Sequence, residues 1–225
     1  MADGQARHQY SIKDRIRAAP SAYRSTGGWA EKPAHIRPQL EESITADVVV
    51  VGAGFAGLST ALELTALGAD VVVLEREFGG FGASGCNAGY LAGAHGLDYA
   101  AIIKTIGREQ AKQIVAYFEE GIAYVERKLA EHSIDCDYLP SGLIGAAVHP
   151  SQEKAMRSKM DLAVELGAPA QFLDSAAMRA REIPPAFLSG VLAPGGTLNP
   201  GKYVQGLRRA TIDADLPRFF GPSLV

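Results

Sequence analysis

The chain has 225 residues, 47% apolar and 21% charged, with 22 basic against 25 acidic side chains and a net charge of −3. A chain of this length and composition buries a core without disulfide or metal staples, and its near-neutral balance excludes general disorder and binding along a nucleic-acid backbone. Two cysteines without metal-ligand spacing, Cys86 and Cys136, point to a reducing compartment. There is no apolar signal core, and the one uncharged run of spanning length, Phe78 to Leu97, holds seven glycines and is too polar to span a membrane. The chain reads as cytoplasmic.

Residues 1–43 lack periodicity and are broken by Pro20, Gly27, Gly28, Pro33 and Pro38, which predicts an extended lead pinned by Tyr23 and Trp29. Asp47 to Val51 is a β-branched run that predicts a strand buried on both faces, as in a parallel sheet. Phe55 to Leu67 carries Leu58, Ala61, Leu62 and Leu64 at helical spacing, and Gly68 closes it. Asp70 to Leu74 is a second β-branched strand, so the segment is a βαβ unit. A glycine-rich loop, 79–96, precedes an amphipathic helix over Arg108 to Glu131. Short strands are predicted at Asp135 to Tyr138 and Leu143 to Val148, a helix at Ser151 to Leu166 and a strand at Phe187 to Leu192. Asn199 and Pro200 then open a last helix as N-cap and first residue. Met156 and Met160, one helical turn apart, read as core packing.

Chemistry concentrates in Gly52-Ala53-Gly54-Phe55-Ala56-Gly57, a GxGxxG between a strand and a helix. Gly52 permits the turn, Gly54 leaves room for a pyrophosphate and Gly57 lets helix and strand approach. The helix N-terminus offers unpaired N–H groups to phosphates. Glu75 ends the next strand 23 residues after Gly52, where an acid accepts hydrogen bonds from ribose hydroxyls and repels a 2′-phosphate. A second GxGxxG, Gly80 to Gly85, has neither the long helix nor the acid-terminated strand after it. It reads as a loop lying against a cofactor. The fingerprint alone suits either nicotinamide or flavin dinucleotides, and a catalytically inactive remnant also stays open.

The stretches DVVVVGAGFAGLSTALEL and VVVLEREFGGFGASGCNAGY resemble the FAD-dependent oxidoreductases of the D-amino-acid oxidase (DAO) family, whose second glycine loop has the pattern GASGRNGG. Ile134 to Tyr138 with Ser141-Gly142-Leu143 is similar to the gamma-glutamylputrescine oxidase branch, and Gly195 to Pro200 to the family's return into the FAD domain. The resemblance implies an α/β fold: a Rossmann-like FAD-binding part over 44–135, the beginning of an antiparallel α+β substrate domain over 136–198, and a returning helix over 199–225. It implies FAD as cofactor, with the pyrophosphate on Gly52, Gly54, Phe55, Ala56 and Gly57, the ribose on Glu75, Arg76 near the adenine, and Ser84, Gly85, Asn87 and Gly89 along the flavin. It also implies a small amine or amino acid as substrate, oxidised by hydride transfer to flavin and hydrolysis of the imine. Cys86 stands where the family pattern has arginine, and reads as a small buried hydrophobe. His95 is the one histidine placed for a role near the flavin, with capping of its own loop as the alternative reading. Family members are considerably longer, so the chain is expected to match their N-terminal portion and to be a poor catalyst alone.

Overall fold

The computed structural model describes residues 29, 32–33, 38–94, 96–213 and 219–220. Tyr23, His8, His35 and His95 lie outside them. Trp29 is 48% exposed, so it does not anchor the lead in the core as expected.

The predicted βαβ unit is present as β1 (Val48–Val51), α1 (Phe55–Ala66) and β2 (Val71–Leu74). β1 and β2 pair in parallel, Val48 opposite Val71 and Val51 opposite Leu74. The expectation that β1 is buried on both faces fails. Val49 is 55% and Val51 67% exposed, whereas Val71, Val72 and Val73 of β2 are buried. The difference is position: among the described strands β1 lies at the sheet edge, and β2 is flanked on both sides, with the short strand Phe219–Phe220 beyond it.

The loop 79–96 is not continuous. It contains a 3-10 turn, Ala83–Gly85, and then β3 (Tyr90–Ala92). A helix missed in the sequence, α2 (Tyr99–Ile106), follows, capped by the Asp98 side chain, which accepts from the Ala101 N–H. It escaped notice because its eight residues are too few for a clear periodic signal. α3 (Arg108–Glu131) has the predicted bounds. Asp135 to Tyr138 is not a strand: Asp137 has φ 55°, and the ladder contact falls instead on Leu139, bridged to Thr197. Asp137 pairs with Lys202 at 2.7 Å.

β4 (Leu143–Ala147), α4 (Ser151–Glu165), β5 (Gln171–Leu173), α5 (Ser175–Ala180) and β6 (Ser189–Ala193) form the next unit. Its antiparallel sheet runs β4-β6-β5. β7 (Gly195–Thr197) then returns to pair antiparallel with β3, Tyr90 opposite Thr197. The last long helix, α6 (Pro200–Asp213), starts as predicted, with Asn199 Oδ1 accepting from the Lys202 N–H at 3.0 Å.

There are two cores. One joins α1, the parallel strands and α6 through Leu58, Leu62, Val71, Val73, Val204 and Leu207. The other joins α2, α3 and α4 through Tyr99, Ala111, Val115, Ala163 and Leu166. Helices α1 and α3 are tied by Lys128, whose Nζ sits 2.7 Å from both Glu63 of α1 and Glu131. Burial opposes the Lys128 charge, but the hydrogen bonds it donates to Glu131 and Glu63 outweigh that and raise its pKa above 10.5. The same ammonium holds the Glu63 and Glu131 carboxyls below their ordinary range.

Two measurements check this packing. A Cβ on Gly57 would sit 1.9 Å from the Gly52 carbonyl oxygen, so Gly57→Ala should lower stability in urea unfolding by about 2 kcal/mol or more. Lys128→Met should cost about 1 kcal/mol, because Lys128 is mostly covered while its partners are half exposed and screened. The depressed carboxyls contribute above their unfolded pKa and lose that contribution as pH falls through their folded values. The raised lysine contributes below pH 10.5 and is lost above it. The gap between wild type and Lys128→Met should therefore be widest near neutrality and close at either extreme.

Candidate functional site

The fingerprint turn is built as the glycine pattern requires. Gly52 adopts φ 95° and its N–H donates to the Leu74 carbonyl at 2.7 Å, joining the turn to the end of β2. α1 begins at Phe55 with no acidic side chain in its own first turn. Glu75 reaches back: its Oε2 accepts from the Ala53 N–H at 2.8 Å and its Oε1 from the Glu77 N–H at 2.9 Å. These two bonds hold the carboxylate at the mouth of the turn.

The second glycine stretch closes onto the first. The Gly80 N–H donates to the Ala53 carbonyl at 2.9 Å, and the Phe55 N–H donates to Ser84 Oγ at 2.9 Å. Ser84 thus caps the first residue of α1 from 29 positions away. The loop rests in turn on α6, where Gln205 donates to the Gly79 carbonyl at 2.8 Å and Gly80 lies against Val204.

Two clefts result. One, of about 440 Å³, is lined by Gly52, Gly54, Glu75, Arg76 and Ser84, together with Gly80 to Ala83. The other, of about 300 Å³, is lined by Phe55, Ala56, Asn87 and Gly89, with Tyr90, Tyr124 and Tyr203. Consecutive residues Gly54 and Phe55 line one cleft each, so the clefts meet at the N-terminus of α1. Nine of the eleven sequence-predicted site residues line one cleft or the other. Gly57 and Gly85 line neither: Gly57 seats α1 on Gly52, and Gly85 is buried in the 3-10 turn.

The structure adds to the roles of several residues. Asn87 donates to the Ala83 and Ser84 carbonyls and accepts from the Gly89 N–H, so its amide holds the loop in shape. A Cβ on Gly89 would lie 2.2 Å from the Leu198 carbonyl oxygen, and the Leu198 N–H donates to the Gly89 carbonyl. Cys86 is exposed, against the expectation of burial, and its Sγ donates to the Phe81 carbonyl at 3.8 Å. By helical periodicity Tyr203 falls on one stripe of α6 with Val204, Leu207 and Ala210. It packs on Phe55 with ring centroids 5.0 Å apart, and burial raises its hydroxyl pKa, keeping it a neutral donor. Periodicity shows that Tyr203 faces inward, but not that Phe55 is what it faces.

The 440 Å³ cleft fits a dinucleotide diphosphate: a helix end with no acidic side chain in its first turn, bare glycine backbone at Gly54 and Gly82, and the Glu75 carboxylate fixed at its mouth. The class of protein is thus an α/β dinucleotide-binding protein. The family described as "DAO: FAD dependent oxidoreductase" matches residues 47–216. The chain belongs to that family, and the cofactor of the family is FAD. The chain is 36% identical over 183 residues to gamma-glutamylputrescine oxidoreductase of Escherichia coli, covering 81% of this chain and 42% of that protein. Solved structures with the same fold include a glycine oxidase from Geobacillus kaustophilus, at TM-score 0.60 and 20% identity, covering 79% of this chain and 46% of that one. An L-amino acid deaminase from Proteus myxofaciens aligns at TM-score 0.64 and 15% identity, covering 83% and 41%. The chain spans less than half the length of these relatives.

Gly54→Ala tests the site apart from the fold. Its Cβ would lie 2.8 Å from Ser84 Oγ, a side chain that can rotate away, and not against backbone. The variant should unfold in urea within about 1 kcal/mol of wild type yet bind FAD at least about tenfold more weakly by fluorescence titration. Unchanged FAD affinity in the folded variant would place the pyrophosphate elsewhere.

Proposed function

We propose that the chain forms the FAD-binding part and the beginning of the substrate domain of a flavoenzyme that oxidises the carbon–nitrogen bond of a small amine or amino acid. The observation that carries this is the meeting of Ser84, Glu75 and the α1 N-terminus at one turn, in a chain 36% identical to a gamma-glutamylputrescine oxidoreductase. In this reading Gly52, Gly54, Phe55 and Ala56 present backbone to the pyrophosphate, Glu75 takes the ribose and Arg76 lies by the adenine. Ser84, Asn87 and Gly89 shape the flavin side. When bound, FAD supplies the acceptor for the hydride leaving the carbon next to nitrogen. This chain's own residues bind and orient it: the helix end meets the diphosphate charge, and the neutral Tyr203 and Phe55 close the second cleft from below.

The division at about 44–135, 136–198 and 199–225 is supported by the separate parallel and antiparallel sheets. We place the protein in the cytoplasm on the two unpaired cysteines. Among the described residues no helix is long and apolar enough to cross a membrane. The family sets aside a nicotinamide dehydrogenase, and nothing favours an inactive remnant over an enzyme.

The purified chain should bind FAD at least about tenfold more tightly than NADP, because Glu75 faces the extra phosphate. Anaerobic titration of the FAD-loaded chain then tests the substrate class. Bleaching of the flavin band by gamma-glutamylputrescine, sarcosine, glycine or a D-amino acid is expected, even where turnover is slow. Bleaching by 2-hydroxy acids and not by amines overturns the reading.

A further inference from the structure

Away from both clefts, and sharing no lining residue with either, a cavity of about 170 Å³ lies between α4, α2, α3 and the antiparallel sheet. Its walls are mainly apolar: Met156, Met160 and Ala163 from α4, and Val191 from β6. Met156 and Met160 therefore do more than fill a core. Thioether side chains adapt to what they surround, and here they surround space. A cavity of ~150 Å³ with apolar walls accepts benzene, so this one has room for a leucine-sized side chain.

Among the described lining residues its charged groups are Glu119 of α3 and Lys159 of α4, with Tyr99 beside them. They gather along one short segment of chain. Glu119 Oε1 accepts from the Ala94 N–H at 2.9 Å, and Lys159 Nζ donates to the Gly96 carbonyl at 3.4 Å. The Tyr99 hydroxyl donates to the Ala94 carbonyl at 2.7 Å. Among the described residues neither Glu119 nor Lys159 forms an ion pair within 4.0 Å, with the other or with a third group. An apolar cavity lined by a carboxylate and an ammonium, neither in an ion pair among the described residues, is complementary to a head group carrying both charges. A simple amine would leave Lys159 unmatched and a simple acid would leave Glu119 unmatched.

We propose that this cavity is a second ligand site and that it binds an apolar α-amino acid, with the ammonium on Glu119, the carboxylate on Lys159 and the side chain between Met156, Met160 and Val191. The site is independent of the FAD reading, because it is built from the other core.

The test uses the full chain labelled with 13C at the methionine methyls. Met178 is the internal control: it packs on Gly190, which points to the opposite face of β6 from Val191. L-leucine should shift the Met156 and Met160 methyls saturably and leave Met178 in place. Isopentylamine and 4-methylpentanoate, which carry one charge each, should bind at least about tenfold more weakly. Lys159→Met, at an exposed position, should weaken leucine about tenfold and remove its advantage over isopentylamine. Ala163→Leu should fill the cavity and abolish the shifts. Unmoved Met156 and Met160 methyls in a chain whose Met178 signal is native overturn the proposal. So does equal binding of either single-charge probe, or undiminished leucine binding by Lys159→Met. None of these readouts needs flavin, so failure here and failure of the FAD reading are told apart.

Discussion

Everything at the site depends on how closely α1 approaches the carbonyl of Gly52. With no side chain at Gly57 the helix seats directly on the turn, at a distance where a single Cβ would overlap that oxygen. The seating sets the N-terminus of α1 beside the turn that ends β1. Leu58, Ala61 and Leu62 then bury against the strands and α6, and hydrophobic burial holds the helix end in place. Glu75 and Ser84, from the ends of separate segments, reach the same turn because its position is set.

The second glycine loop is held by three separate anchors. It hangs on the turn through Gly80 and Ser84, on α6 through Gly79 and Gly80, and on the chain leading into α6 through Gly89. The last two anchors lie more than 100 residues away in sequence, on the far side of the antiparallel unit. The floor of the candidate site is therefore completed only after the chain has built β4, β5 and β6 and returned through β7 and α6. A glycine-rich loop of this length would otherwise lose much conformational entropy on ordering, and the anchors offset that loss.

The family's fold survives at 15–20% identity to solved structures, and the features that persist here are backbone ones. A parallel strand pair, a turn glycine with positive φ and a helix end free of side-chain charge constrain few residue identities. Side chains that face outward in the loop constrain it less: Cys86 is exposed, with its thiol directed to the Phe81 carbonyl.

By itself the sequence determined the βαβ unit, the fingerprint turn with its acid, the long α3 helix and the start of α6. These rest on local signals: β-branched runs, helical periodicity, positive-φ glycines and caps. It could not decide which faces are covered. Val49 and Val51 are as apolar as their neighbours in β2 but lie at the edge, and Cys86 is as apolar as buried Cys136. It also missed the helices α2 and α5, too short for a clear periodic signal, and the three-residue strands β3, β5 and β7, which pair with strands elsewhere in the chain. Asp135 to Tyr138 carried alternation suited to a strand, yet the chain turns at Asp137, where Lys202 of α6 meets the carboxylate. Tertiary structure alone gave Ser84 its place on Phe55 and set Glu119 and Lys159 around one cavity, because which side chains meet across helices and sheets is fixed by packing and not by periodicity.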